Sequence, residues 1–246
     1  MMIQPEHLEC EYADRAGVLD ACLEIPLDQW LSRRECRRLG FFGNVRRRHD
    51  WLAGRWLGKR LVLNQLDKSA VALRDIDISS RDQWNRSVRP QVLVHRRRVP
   101  WSLSLSHNDL GVMAALNVCP DIHVGIDVVP VESYSFGLLR TWFTTDEQQR
   151  LHDASDRSVA VTWATKEAVY KAVNVGESFM PRRFEITVSD EGDVECRHNG
   201  HPLPNSCGLR AWDIHGQVAS LCVARHPSAT KSSRYPLPPS HSNEVE

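Results

Sequence analysis

No apolar stretch in this 246-residue sequence approaches the length needed to span a bilayer, and the opening MMIQPEHLECEYADR has no apolar signal region. Its seven cysteines, Cys10, Cys22, Cys36, Cys119, Cys196, Cys207 and Cys222, include no C-x-x-C pair. Its eleven histidines form neither an H-E-x-x-H motif nor a Cys/His cluster, so nothing supports a zinc site. Net charge is also missing, since 31 Lys and Arg balance 31 Asp and Glu. Bulk attraction to nucleic acid or an anionic membrane is therefore not expected. These absences predict a reduced, soluble, cytoplasmic protein with no nucleic-acid and no membrane partner. A nucleic-acid binder would have to rest on arginine-rich early segments alone, and no recognised motif accompanies them.

What is present is a globular composition, 41% hydrophobic, long enough for a real core in one or two domains. After a short β-like opening, LDQWLSRRECRRLGFFG and RRRHDWLAGRWLGKRLVLNQL read as helices, with Gly40 and Gly43 breaking between them. Arg33, Arg34, Arg37, Arg38 and Arg46 to Arg48 crowd this region, so a local phosphate site stays open. In VPWSLSLSHNDLGVMAALNV, Trp101, Leu103 and Leu105 alternate with serines and HNDLG supplies a turn, which predicts a hairpin with His107 at its tip. Two further hairpins are expected to turn at Glu191-Gly192 and His215-Gly216. From Pro227 the chain is Pro/Ser-rich with almost no apolar content, the composition of a disordered tail.

Two segments carry the candidate chemistry. HVGIDVVPV is rich in β-branched residues and ends at Pro130, which predicts a strand bearing Asp127. From Ser155 to Val173, Ala160, Ala164, Ala168 and Ala172 recur every fourth residue, with Ser158 or Asp156 as cap and Gly176 beyond the end, which predicts a helix. Trp163, Glu167 and Lys171 share one face of it. A strand carboxylate and a helix carboxylate could together hold a hard cation, because Mg²⁺ takes one or two protein carboxylates and completes its shell with water and phosphate oxygens. The plain alternative is an exposed helix with an ordinary i,i+4 pair, worth about 0.2–0.5 kcal/mol. A faint internal echo, Trp51, Arg55 and Lys59 against Trp163, Glu167 and Lys171, suggests two similar halves.

At these residues the sequence resembles the Sfp-type 4′-phosphopantetheinyl transferases of the holo-acyl-carrier-protein synthase superfamily. Their G-[IV]-D strand reads here Gly125-Ile126-Asp127, and their W-x-x-K-E-x-x-x-K helix reads Trp163, Lys166, Glu167, Lys171. Ser106-His107 precedes the strand, and Arg140-Thr-Trp-Phe143-Thr-Thr-Asp-Glu147 lies between strand and helix. The resemblance implies an α+β fold of two similar halves related by a pseudo-twofold axis, each with helices packed on a small, mainly antiparallel sheet. Residues 1–119 would form the N-terminal half, 120–226 the C-terminal half with the metal site, and 227–246 the tail.

The activity so implied is transfer of 4′-phosphopantetheine from coenzyme A to a serine of an acyl or peptidyl carrier protein, with release of adenosine 3′,5′-bisphosphate, by a self-sufficient monomer. Asp127 and Glu167 would hold Mg²⁺, and Glu167, directly or through a metal-bound water, would take the serine proton. Lys166 or Lys171 would neutralise the leaving group, with Lys171 favoured by its face. His107, Ser106, Arg38 and Arg89 would contact coenzyme A, although the family's G-K-P tripeptide is here Val88-Arg89-Pro90. Glu147 reads as structural, the second member of a capping box with Thr144. Many relatives carry a glutamate where this chain has Val129; either a water fills that place or a nearby polar residue, with Asn108 the candidate, reaches in. The competing reading is a non-catalytic module that binds coenzyme A or a carrier protein.

Overall fold

A computed structural model describes residues 7–81, 87–174, 177–189, 191–204 and 207–225. The expected tail from 227 and the expected helix stop at Gly176 lie outside the described residues. Strand β1 (Leu8–Asp14) leads into helices α1 (Arg15–Glu24), α2 (Leu27–Trp30), α3 (Arg33–Leu39) and α4 (Val45–Asn64). Strands β2 (Ile76–Arg81), β3 (Ser87–Val94), β4 (Arg97–Arg98), β5 (Ser102–His107) and β6 (Gly111–Asn117) follow. The order then starts again with β7 (Ile122–Pro130), α5 (Phe136–Trp142), α6 (Thr145–Leu151) and α7 (Asp156–Val173). It closes with β8 (Phe184–Val188), β9 (Val194–His198), β10 (His201–Pro202), β11 (Cys207–Ile214) and β12 (Gln217–Arg225).

The sheets repeat as the elements do. One set has strand orders β1-β6-β5 and β2-β3-β4, the other β7-β12-β11 and β10-β9-β8, and every described pairing is antiparallel. Each long helix packs on its own three-stranded sheet: α4 buries Leu52, Leu57 and Leu61 with Leu103 and Leu116 of β5 and β6, and with Ile78 of the neighbouring β2, while α7 buries Ala168 and Ala172 with Cys222 and Ala224. This is the α+β, two-half architecture expected above.

The repeat extends to buried charge. Ser32 and Glu35 close a capping box on α3, and Glu35 also accepts from Ile78 N and pairs with Lys59. Thr144 and Glu147 close a capping box on α6, and Glu147 accepts from Ile186 N at 2.8 Å and pairs with Lys166 at 2.7 Å. Both lysines are fully buried. Lys59 aligns with Lys166, so the echo in the sequence is real but its register was wrong: Trp51, Arg55 and Lys59 do not match Trp163, Glu167 and Lys171.

The two sets join through side chains. On β5 the alternate serines Ser102, Ser104 and Ser106 accept from the backbone N–H groups of Val124, Ile126 and Val128 on β7, at 3.0, 3.0 and 3.3 Å. Leucines at the intervening positions face α4, so both faces of β5 are covered. Met113 and Ala115 of β6 complete the joint against Val124, Ile126 and Val128.

Candidate active site at the joint between the halves

Asp127 is held at the end of the serine seam. Gly125, Asp127 and Val129 alternate on the face of β7 that meets α7. A Cβ added to Gly125 would lie 1.9 Å from Ala168 O and 2.6 Å from Ala172 N, so α7 touches β7 backbone to backbone. The fourfold alanine repeat of α7 supplies the other half of this close approach, and Ser155, rather than Ser158 or Asp156, caps the helix. Pressed against the strand, α7 delivers Glu167 and Lys171 to Asp127.

Asp127 Oδ1 accepts from Ser106 Oγ and from Lys171 Nζ, both at 2.6 Å. Lys171 Nζ also donates to Ile126 O at 3.1 Å and lies 3.6 Å from Glu167 Oε2. Asp127 is buried, while Glu167 and Lys171 keep about a quarter of their side-chain surface open, at 29% and 24%. Burial pushes the Glu167 carboxyl pKa up, Lys171 pulls it back and Asp127 pushes further upward. For Lys171 burial acts to lower the pKa, but the Asp127 and Glu167 carboxylates outweigh it and the net direction is up. The ammonium thus sits between two carboxylates, and positive charge is what this pocket holds.

His107 stands beside this cluster at the β5–β6 turn. The residue is exposed, yet the cleft walls lower its imidazole pKa by desolvation. Asp50 and Asp127 oppose that shift, while Lys171 and Arg15 add to it. Asp50 and Arg15, a 2.8 Å ion pair between α4 and α1, were not singled out in the sequence, because nothing local ties these helices to the hairpin.

Three expected site residues stand outside the Asp127–Glu167–Lys171 cluster. Lys166 faces away from Glu167: its Nζ pairs with Glu147 and donates to Pro181 O at 3.0 Å and to Phe184 O, under the Phe143 ring. On a helix Lys166 points about 100° from Glu167 and about 140° from Lys171, so it cannot share the cleft with them. Arg89 caps the C-terminus of α7, donating to Lys171 O, Ala172 O and Asn174 O at 3.3, 2.8 and 3.0 Å, and contacting His123 at 2.6 Å. Most of its donors are therefore committed to the helix end rather than presented to a phosphate. Arg38 lies over the Phe42 ring near Arg55, in the helical layer of the other half. Trp163, although on the Glu167 side by spacing, packs among Trp142, Phe143 and Phe179.

Asn108 does not replace a carboxylate. Its Oδ1 accepts from Leu110 N and Gly111 N, and its Nδ2 donates to Val128 O and Gln217 Oε1. Val129 packs against Ala160, Val161, Ala164 and Val218, an apolar setting with no place for an ion. Asp127 and Glu167 remain as two carboxylates, a donor set that fits a hard divalent cation completing its shell with water and substrate oxygens. Among the described residues no group of three His, Cys, Asp or Glu could hold a metal, so an all-protein cage is not available.

A cavity of about 620 Å³ opens at the other end of the seam, lined by Arg89, Pro90, Arg98, Trp101, Ser102, Pro120 and His123 among others. Four residue steps along β5 lead from Ser102 to Ser106, roughly 13 Å at about 3.3 Å per residue.

With this geometry in view, residues 123–224 match the model of the 4′-phosphopantetheinyl transferase superfamily. A 4′-phosphopantetheinyl transferase of Bacillus pumilus, psf-1, is 26% identical over 140 residues, 55% of this chain and 58% of that protein. The chain thus spans somewhat over half the length of the curated relative it matches. Among solved structures, the holo-[acyl-carrier-protein] synthase of Thermotoga maritima aligns at 20% identity over 42% of this chain and 62% of its own, with a TM-score of 0.35. The Helicobacter pylori synthase in complex with coenzyme A aligns at 17% identity over 40% of this chain and 96% of its own, with a TM-score of 0.33. By motif order and by family model alike, the segment that carries Asp127, Glu167 and Lys171 resembles the 4′-phosphopantetheinyl transferase superfamily.

Proposed function

We propose that the protein transfers the 4′-phosphopantetheine group from coenzyme A to a serine hydroxyl of an acyl or peptidyl carrier protein, releasing adenosine 3′,5′-bisphosphate. The observation that carries this reading is the cluster of Asp127, Glu167 and Lys171 beside His107, assembled from both halves at one open cleft. Attack of a hydroxyl on a phosphoanhydride is mainly a matter of positioning and charge neutralisation. Mg²⁺, held by Asp127 and Glu167, would supply charge neutralisation on the pyrophosphate when bound. Glu167 takes the proton of the attacking serine. Lys171, on the same helix face, neutralises charge on the departing bisphosphate. His107, at the cleft mouth, donates to a phosphate oxygen. Both halves of the cleft belong to one chain, which fits a monomer, and seven free cysteines fit the reducing cytoplasm. The cavity beside Arg98 and Trp101, on the same seam, accepts the far end of a cofactor as long as coenzyme A.

One observation favours a second reading. The place of a third carboxylate is filled by apolar Val129, so a module that binds coenzyme A or a carrier protein without turnover would explain a two-carboxylate site. Intact-protein mass spectrometry of an apo carrier protein, incubated with this protein, coenzyme A and Mg²⁺ beside a chelated control, separates the two. A metal-dependent gain of one phosphopantetheine supports the transferase. No gain across several carrier types, with coenzyme A still bound, supports the module.

A further inference from the structure

His107 is fixed to the strand of Asp127 by its two chain neighbours. Ser106 Oγ accepts from Val128 N, and Asn108 Nδ2 donates to Val128 O at 3.1 Å, so one residue of β7 is gripped on both sides of His107. The grip depends on which way the Asn108 amide faces. Its Oδ1 must accept the turn N–H groups of Leu110 and Gly111, at 2.8 and 3.0 Å, which leaves Nδ2 for β7. Gln217, fully buried at the start of β12, presents Oε1 to that Nδ2 at 2.6 Å and donates Nε2 to Tyr12 Oη at 2.7 Å. The Tyr12 ring is stacked on His215 at 5.1 Å and occupies the space left by Gly111, where a Cβ would meet it at 2.3 Å. The turn N–H groups fix the Asn108 amide, Asn108 fixes the Gln217 amide, and the Tyr12 hydroxyl closes the chain, which links the β5–β6 turn to β7, β12 and β1.

We propose that Gln217 is a positioning residue of the active site, the keystone of a Tyr12–Gln217–Asn108 clasp that holds the hairpin tip bearing His107 against the strand bearing Asp127. Loosening the clasp lets His107 drift from the phosphate position while leaving Glu167 and Lys171, which ride on α7, in place. The expected signature is weakened coenzyme A binding with little change in turnover. This rests on the transferase reading for its kinetic arm, so a second readout is independent of activity: the ¹H–¹⁵N signals of the His107 imidazole in the metal-free, coenzyme-free chain.

The experiment compares Gln217→Met, which keeps the volume and removes both hydrogen bonds, with Gln217→Glu, whose fully buried carboxyl takes a proton, so that one oxygen accepts from Asn108 and the other donates to Tyr12 Oη. Gln217→Met is expected to raise the KM for coenzyme A on the order of tenfold, the scale of one or two lost buried hydrogen bonds, with kcat within about twofold, and to shift the His107 signals. Gln217→Glu is expected to recover most of both changes. Tyr12→Phe, which removes only the hydroxyl and keeps the ring on His215, carries the same test in milder form should Gln217→Met not fold. Unmoved His107 signals in Gln217→Met and Tyr12→Phe would overturn the clasp, as would an equal fall in kcat with KM unchanged. A wild-type chain without transferase activity but with shifted His107 signals in the variants would sink the functional reading and leave the clasp standing.

Discussion

Gly125 sets how near α7 comes to the strand of Asp127. Replacing it with alanine drives a Cβ into Ala168 O and Ala172 N, backbone atoms that cannot swing aside, so the helix must lift. A displacement of about 1 Å at a reacting group can cost roughly 10²-fold in rate. Gly125→Ala is therefore expected to lose transfer by about that factor and to melt earlier, as measured by carrier modification and calorimetry. Under the proposed function, Asp127→Asn and Glu167→Gln should each reduce transfer at least about 10²-fold, since each would remove a charge expected to stabilise the reacting phosphate assembly. Full activity in either variant would remove the metal site from the argument. The two lysines separate by readout. Lys171→Met is expected to abolish transfer, whereas Lys166→Met should lower the melting temperature, because it strips Glu147 of its buried partner. An active-site effect of Lys166→Met in molecules that remain folded would contradict its burial.

At the scale of elements, the Glu147–Lys166 bond ties α6, α7 and β8 together, and Glu35–Lys59 does the same for α3, α4 and β2. Breaking a buried pair by removing one partner typically costs about 3–5 kcal/mol, since the other charge is left without compensation. Glu147→Gln should therefore destabilise the chain by about that amount in denaturant melts, and any loss of transfer should follow the unfolded fraction. Strand β7, helix α7, the hairpin at His107 and the Thr144–Glu147 box were legible, because local period, turn chemistry and capping residues specify them. The direction of Lys166 was not, because its partner lies 19 positions away and no spacing rule links them. The serines of β5 read as one face of a hairpin strand. Their work of capping β7 N–H groups depends on which strand lies alongside, and tertiary structure decides that. That Arg89 spends most of its donors on the end of α7 was not legible either, because a guanidinium suits phosphate and helix-end carbonyls alike.

Among the described residues the two halves present corresponding carboxylate positions, and only the second sets two carboxylates side by side, the donor set a divalent cation takes. Counted from the hairpin end, Glu11 is the fourth residue of the β1–β6 ladder and Asp127 the fourth of the β7–β12 ladder. Aligning Lys59 with Lys166 places Arg60 where Glu167 stands and Asn64 where Lys171 stands. Arg60 and Glu11 do meet, at 3.7 Å, so the repeat preserves the contact while replacing the second carboxylate by a guanidinium. The strand beside the joint differs as well: Ser102, Ser104 and Ser106 correspond to Gly208, Arg210 and Trp212 on β11, which cannot build the same hydroxyl seam. A pair of carboxylates with a neighbouring ammonium attracts a divalent ion and phosphate, whereas a carboxylate already neutralised by arginine attracts neither. Binding of Mn²⁺, followed by electron paramagnetic resonance as a stand-in for Mg²⁺, should therefore saturate at one ion per chain. Asp127→Asn should remove that binding and Glu11→Gln should leave it intact; two ions per chain, or loss of binding in Glu11→Gln, would mean that the first half-site has kept a function its charges argue against.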